Sequence, residues 1–293
     1  MEAIWRTFNA ESIASLPRAE RTRLLEKIGE RLASFCAEHW YFWARKDQQP
    51  PEGRWRTWLY LGGRGAGKTR AGAEWIADGV QNEGLRHVAL LGATHNDARA
   101  VMIEGVSGLM RAAKGATYEP SNQRVLWPNG AVATVLSAEE PDAIRGHQFD
   151  AAWGDEFCKW RAPQEALDML RMALRVGKRP QLMLTTTPRN IAPLKTLMGE
   201  KGVKLTRAAT AANTANLADG FLDDLAARYG GTRLGRQELD AEIIEDNDRA
   251  LWTRAWIEAA RLRAAPELTR VIVAVDPSAS REGAECGLSL IHI

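Results

Sequence analysis

Trp58-Leu59-Tyr60-Leu61-Gly62-Gly63-Arg64-Gly65-Ala66-Gly67-Lys68-Thr69-Arg70-Ala71-Gly72-Ala73-Glu74-Trp75-Ile76 is the stretch that decides how this chain folds. An apolar run, a glycine-rich turn and an amphipathic run follow one another, which predicts strand, loop and helix. From Gly62 to Thr69 the residues fit G-x-x-x-x-G-K-[ST]. In that pattern the glycines let backbone N–H groups approach phosphate oxygens at a helix N-terminus. Gly62, Gly63, Arg64, Gly65, Ala66 and Gly67 would line the phosphates, Lys68 would reach the β- and γ-phosphates, and the Thr69 hydroxyl would hold Mg²⁺. The plainer reading is a glycine-rich turn with a chance Lys-Thr, and the flanking strand and helix argue against it.

Outward from this loop, elements alternate. A strand at His87–Leu91, a helix over 96–113 and further strands at Ala151–Gly154, Gln181–Thr185 and Val203–Thr206 predict a mostly parallel sheet with helices on both faces. A helix over Gln164–Val176 separates two of those strands, and shorter helices follow at Phe221–Arg228 and Arg233–Ile244. Asn129-Gly130 between two apolar runs predicts an antiparallel hairpin in or beside the sheet. Before the loop, residues 1–45 read as a helical arm with Ile13, Leu16, Leu24, Leu25, Ile28, Leu32 and Phe35 near a 3.6-residue rhythm. After it, Glu245-Asp246-Asn247-Asp248-Arg249 reads as a linker. A helix at Arg254–Arg263 and a buried strand Val271–Val275 ending at Asp276 then follow. The domain reading is therefore an arm at 1–45, a nucleotide-binding domain at 46–244, linker and helix at 245–265, and the start of a second domain at 266–293.

Composition excludes several classes. At 45% hydrophobic and 26% charged the chain has the balance of an ordinary globular protein, and no apolar run approaches the roughly 20 residues that span a bilayer. No signal-peptide core opens the chain, so a cytoplasmic protein without a membrane partner is expected. Cys36, Cys158 and Cys286 are scattered, and His39, His87, His95 and His147 share no short spacing, so neither a disulfide framework nor a zinc site is expected. With 39 Lys+Arg against 37 Asp+Glu the net charge is +2, so any contact with nucleic acid must be local. Eleven tryptophans include several beside basic residues, as in Trp5-Arg6, Arg54-Trp55-Arg56 and Lys159-Trp160-Arg161. Such pairs serve either cation–π and base stacking or amphipathic surface packing.

The acidic element decides what a phosphate loop does. Phe149-Asp150-Ala151-Ala152-Trp153-Gly154-Asp155-Glu156 is a mostly apolar strand ending in adjacent carboxylates. Asp155 can hold Mg²⁺ through its water shell, and Glu156 can orient and deprotonate an attacking water. A second carboxylate there suits hydrolysis rather than a kinase, which must exclude water. The alternative is an Asp-Glu pair that only favours a helix dipole. Arg64 and Arg145 are candidates to stabilise charge on the transferring phosphoryl group, and such a finger can come from a neighbouring subunit. Arg145 also reads as an ordinary surface cation. Thr185, Thr186 and Thr187 end another apolar strand, where hydroxyls can sense a γ-phosphate or simply form a turn before Pro188.

Taken together, Gln48-Gln49-Pro50-Pro51, the loop Gly62–Thr69, Arg145-Gly146, Trp153-Gly154-Asp155-Glu156 and Leu184-Thr185-Thr186-Thr187-Pro188 resemble the large terminase subunit of tailed bacteriophages, in its prophage or gene-transfer-agent branch. The resemblance runs from about Trp40 to Asp276. It implies a P-loop ATPase core of the additional-strand catalytic-glutamate type, with ATP and Mg²⁺ as cofactors. It further implies a ring of identical subunits on a portal protein, working with a small terminase subunit to drive double-stranded DNA into a procapsid in the host cytoplasm. Gln48 would match the glutamine that reads adenine, Glu156 the catalytic base, Thr185–Thr187 the coupling motif and Arg145 a finger acting in trans. Arg64 matches an arginine common in the family's loop.

The same resemblance implies a ribonuclease H-like nuclease whose first metal-binding carboxylate would be Asp276. A two-metal nuclease needs carboxylates from several strands to hold ions about 4 Å apart. Only Pro277–Ile293 follow, and Glu282 and Glu285 are too close together to serve, so the chain reads as a piece ending after the first nuclease strand. Three other readings compete. A P-loop phosphotransferase is disfavoured by the Asp155-Glu156 pair and by the lack of a lid-like arginine cluster. A helicase would carry a second core of similar size, and the region after Asp246 is too short for one. A non-catalytic ATP-binding module would not depend on Glu156.

Overall fold

The computed structural model describes residues 8–244, 256 and 259–261, and the strands Val271–Asp276 and Gly287–His292. The arm is helical, but Pro17, Gly29 and His39 cut it into α1 (Ala10–Ala14), α2 (Arg18–Lys27), α3 (Glu30–Glu38) and α4 (Trp40–Trp43). Its apolar stripe does not all turn inward. Ile13 joins Cys36, Tyr41 and Phe42 in a small cluster, whereas Leu25, Leu32 and Phe35 are exposed.

The sheet begins with β1 (Thr57–Gly62), followed through the glycine-rich loop by α5 (Lys68–Asp78) and then β2 (His87–Gly92). Next come α6 (His95–Asp97), α7 (Leu109–Ala112), β3 (Thr117–Glu119), β4 (Arg124–Leu126) and β5 (Val132–Ser137). The second half runs β6 (Ala151–Asp155), α8 (Pro163–Ala173), β7 (Gln181–Thr186), α9 (Ala192–Gly199) and β8 (Val203–Ala208). It closes with α10 (Phe221–Tyr229) and α11 (Arg233–Glu238). Strand order is β3-β4-β5-β2-β6-β7-β1-β8. From β5 to β8 all neighbours are parallel, and β3 and β4 add antiparallel strands at one edge.

Both faces are covered, as a parallel sheet requires. Trp58 and Tyr60 pack on one side with Trp75, Ile76, Leu90 and Trp153, while Leu59 and Leu61 pack on the other with Leu91, Phe157, Leu167 and Leu184. The alternation along β1 is the period-two pattern of a strand buried on both faces. β7 lies between β1 and β6, with Tyr60 opposite Thr185 and Asp155 opposite the same Thr185. The carboxyl ends of the three strands therefore meet in one place.

Several expectations change. The helix expected over 96–113 is broken: α6 continues as a π-helical stretch Ala98–Ile103, and α7 resumes only after Gly105 and Gly108, both poor helix formers. The helix from Arg233 stops at Glu238 instead of Ile244, its last residues lying over the phosphate loop. Strand β3 and helix α9 have no counterpart among the elements expected from sequence. The hairpin at Asn129-Gly130 is present as β4 and β5, with the Asn129 side chain accepting from the Ala131 N–H. The linker 245–249 lies outside the described residues, as does most of the segment 254–263.

The chain divides into two compact units, 1–244 and 245–293. In the second, β9 (Val271–Asp276) and β10 (Gly287–His292) form an antiparallel pair with Asp276 opposite Gly287. No helix among the described residues is long and apolar enough to cross a membrane.

Candidate functional site

The loop between β1 and α5 turns sharply through left-handed Gly65 and Gly67 and delivers Lys68 and Thr69 to the first turn of α5. The first N–H groups of that helix have no intrahelical acceptor and point, with the helix dipole, towards the loop's hollow. Gly67 must be glycine on two grounds. Its φ is 87°, and a Cβ there would run into the Gln48 amide.

Lys68 is almost fully buried, and its ammonium donates to Gly62 O (3.0 Å), Gly63 O (3.1 Å) and Thr187 Oγ1 (3.2 Å). Burial pulls its pKa down, while the charges of Glu156 and Asp155 pull it back up. Facing it, Asp155 closes β6 and Glu156 follows in a left-handed backbone conformation with φ 52° and ψ 47°. That turn swings the Glu156 carboxylate out of the strand. There its Oε2 accepts from the Thr187 N–H at 3.5 Å and lies 3.8 Å from Lys159 Nζ.

Asp155 is buried, and its pKa is pushed up to about 6, first by burial and then by the neighbouring Glu156 charge. Thr185 opposes this by donating from Oγ1 to Asp155 Oδ1 (2.5 Å) while accepting from Trp153 Nε1 (3.0 Å). Trp160, of the Lys-Trp-Arg run, is buried and donates to Asp155 O (2.8 Å), so it buttresses the acidic strand end rather than offering a stacking surface. Thr186 Oγ1 accepts from the Cys158 N–H at 3.0 Å and so holds the turn after Glu156. The three threonines thus have distinct partners: Asp155, the Glu156 turn, and Lys68 together with Glu156.

Arg64, Gly65, Gly67, Lys68, Thr69, Glu156, Thr187 and Arg189 line one cavity of about 420 Å³. A smaller one of about 90 Å³ holds Thr69, Asp155 and Glu156 together. A polyphosphate fits the first by its size, its helix N-terminus and its buried ammonium. A hydroxyl beside a carboxylate in the second is the oxygen-donor set that Mg²⁺ prefers.

Other residues brace the loop from behind. Gln48 is buried and donates from Nε2 to Gly67 O (3.2 Å). Arg45 donates to Ala66 O (2.6 Å) and Asn213 Oδ1 (2.7 Å) and pairs with Asp47 at 2.8 Å. Tyr60 donates to Asp47 Oδ2 (2.5 Å), and Asn213 donates to Gly65 O (2.7 Å). Arg64 is held by Glu238 of α11, with Nε to Oε2 at 2.6 Å. Burial raises the pKa of Glu238, but hydrogen bonds from Arg64 and Gln237 outweigh this and leave it below the ordinary carboxylate value. Sequence reasoning misses Arg45, Asn213 and Glu238. Arg45 sits three residues before Gln48 and is legible as a neighbour, whereas Asn213 and Glu238 reach the loop from more than 140 positions away.

Arg145 is not in this cavity. It is exposed, pairs with Asp142 (2.9 Å) and lines a separate hollow with His147, Met169 and Arg175. The backbone at Asp276 ends β9, and its side chain lies outside the described residues.

A family model described as terminase large subunit, T4likevirus-type, N-terminal, matches residues 59–259, more than half of the chain. The chain belongs to the terminase large subunit family. No curated protein matches it. Among solved structures, this terminase chain is similar to the large terminase ATPase domain of Thermus phage P74-26, at 15% identity and TM-score 0.54, over 74% of this chain and 98% of that one. It is also similar to the large terminase from a thermophilic bacteriophage, at 13% identity and TM-score 0.54, over 83% of this chain and 61% of that one. The same bacteriophage's protein in complex with ADP matches at 14% identity and TM-score 0.53, over 82% of this chain and 60% of that one. At such identities these likenesses concern the fold, a P-loop-type α/β core. The terminase chain spans less than two thirds of the length of that bacteriophage's large terminase.

Proposed function

We propose that the chain is the ATP-hydrolysing motor portion of a large terminase subunit, and that it drives double-stranded DNA into a procapsid. One observation carries this reading. Lys68, Glu156 and Thr187 line one cavity, Asp155 lines a second, and Thr69 and Glu156 line both. Lys68 and the N–H groups of α5 would bind the β- and γ-phosphates, and Gln48 would sit towards the adenine. A magnesium ion held by Thr69 and Asp155 would neutralise charge on the phosphates. Glu156 would orient and deprotonate the attacking water. Thr187 touches both Lys68 and Glu156, so a change at the phosphate end can reach the base through one residue.

The remaining parts extend the reading. Arg64 would stabilise the transferring phosphoryl group from within the subunit, and Arg145, exposed and outside its own cavity, would serve a neighbour's site in a ring. The portal protein and the small terminase subunit are the expected partners. By the same reading Asp276 would be the first metal ligand of a nuclease. Residues 1–45 would act as an arm, 46–244 as the ATPase, 245–265 as the connection and 266–293 as the start of the nuclease.

The test is phosphate release from ATP by the purified chain, with and without duplex DNA. Glu156→Gln should lower turnover by about 10²–10⁴-fold while ATP binding is retained. Unchanged turnover in that variant would remove the catalytic reading.

A further inference from the structure

The run Arg54-Trp55-Arg56 has no role in the nucleotide site, and the structure puts it at the opposite end of the sheet. Thr57, Leu182 and Val203 are in register at the amino ends of β1, β7 and β8. The loops entering these strands carry Arg54, Arg56, Arg175, Lys178, Arg179 and Lys201, all exposed. Arg56 is central: its N–H donates to Gly202 O and its carbonyl accepts from the Leu182 N–H, both at 2.9 Å. Neighbouring strands lie about 4.8 Å apart, so the three loops crowd into a band roughly 10 Å wide.

Little neutralises this charge. Glu52 and Glu200 are the acidic residues of these loops, and Glu200 is already paired with Arg171 at 2.5 Å. Arg54, Arg56, Arg175, Lys178 and Lys201 form no ion pair among the described residues. A cavity of about 280 Å³ opens between them, lined by Arg56, Lys201 and the paired Arg171 and Glu200, so cations outnumber the one carboxylate there. Such local concentration stands out in a chain whose net charge is only +2.

The aromatic residue fixes which polyanion fits. Trp55 is buried, packs against Trp58 and Trp75, donates to Pro51 O (2.9 Å) and has the Arg179 guanidinium over its ring at 5.8 Å. It anchors the loop and cannot stack on a base. Cations without an exposed aromatic suit regularly spaced phosphates rather than unstacked bases. We infer that the amino-terminal end of β1, β7 and β8 is a docking surface for the phosphate backbone of duplex DNA. It lies one strand length, roughly 20 Å, from the nucleotide cavity. The inference rests on the DNA-motor reading and assigns a place to the contact.

The test measures binding of the 293-residue chain to a duplex of about 30 base pairs and arbitrary sequence by fluorescence anisotropy across a salt series. The triple variant Arg56→Ala, Lys178→Ala, Lys201→Ala is compared with a control that loses three cations of the arm, Arg18→Ala, Arg23→Ala, Arg31→Ala. The slope of log affinity against log salt should flatten by about 3 in the first variant and stay near wild type in the second. ATP turnover without DNA should be unchanged in both, showing intact folds. An unchanged slope in the first variant, equal flattening in both, or an equal loss of binding to polyglutamate would overturn the inference. A wild-type chain that binds no duplex would instead count against the motor reading itself.

Discussion

Replacing Thr185 with valine deletes one hydroxyl at the centre of the acidic strand end. Thr185 is fully buried, donates to Asp155 at 2.5 Å and accepts from the Trp153 indole at 3.0 Å. Asp155 already sits at about 6 because burial and the Glu156 charge favour its neutral form, and the Thr185 hydrogen bond is the largest influence holding it down. A hydrogen bond to a charged group contributes about 1.5–3 kcal/mol, and each pKa unit corresponds to about 1.4 kcal/mol. Thr185→Val should therefore raise Asp155 by about one to two units. Only the ionised carboxylate can support a metal ion, so the acidic limb of kcat/KM for ATP should move from about 6 to about 7 or above. Activity lost at neutral pH should recover as pH rises.

Stability should follow the same carboxylate with a definite sign. Its folded pKa of about 6 exceeds the ordinary 3.8. Its contribution is therefore fully present below about 3.8 and is lost as pH rises through about 6, amounting to at most about 3 kcal/mol. In the valine variant this loss should continue to higher pH, on top of about 1–3 kcal/mol for the orphaned Trp153 N–H. The measurements are a pH–rate profile and melting curves between about pH 5 and 8.5. An acidic limb that stays at about 6 in the variant would refute the reasoning, because Asp155 would then not be the group whose ionisation limits the reaction.

Two further substitutions probe the scaffold. A Cβ at Gly72 would overlap the Trp153 indole, so Gly72→Ala should overpack the interface of α5 and β6. The expected cost is about 1–3 kcal/mol, read as a drop of several degrees in Tm; an unchanged Tm would mean that the helix and sheet are less tightly apposed than described. Arg45→Ala removes the contacts to Ala66 O, Asp47 and Asn213 behind the phosphate loop. KM for ATP should rise about tenfold with a smaller change in kcat, and a KM equal to wild type would show that the loop holds its shape without the brace.

Local chemistry makes most of the site readable. Gly62–Thr69 and Asp155-Glu156 announce themselves because a phosphate loop and a strand-end acid pair need particular residues side by side in sequence. Asn129-Gly130 does the same for the hairpin. What stays hidden depends on contacts made at a distance. Nothing near Asn213 or Glu238 marks them as neighbours of Gly65 and Arg64, and α11 stops short of Ile244 because its end is set by packing over the loop. The stretch 96–113 misleads for a different reason: its apolar rhythm persists through Gly105 and Gly108, where the backbone breaks. Arg54-Trp55-Arg56 invites a stacking interpretation that only the burial of Trp55 removes.

The two borders of the sheet carry a consequence for how copies of this chain can meet. One is β3, three residues long, and the other is β8, which carries Lys204 and Arg207 along a partly exposed strand. A short strand and a charged one are both poor templates for adding a foreign strand. Neighbouring copies are thereby steered away from fusing their sheets into a continuous ribbon. Contacts between copies across this eight-stranded sheet are thereby favoured through its helices and loops, which can loosen and re-form without tearing a hydrogen-bond ladder.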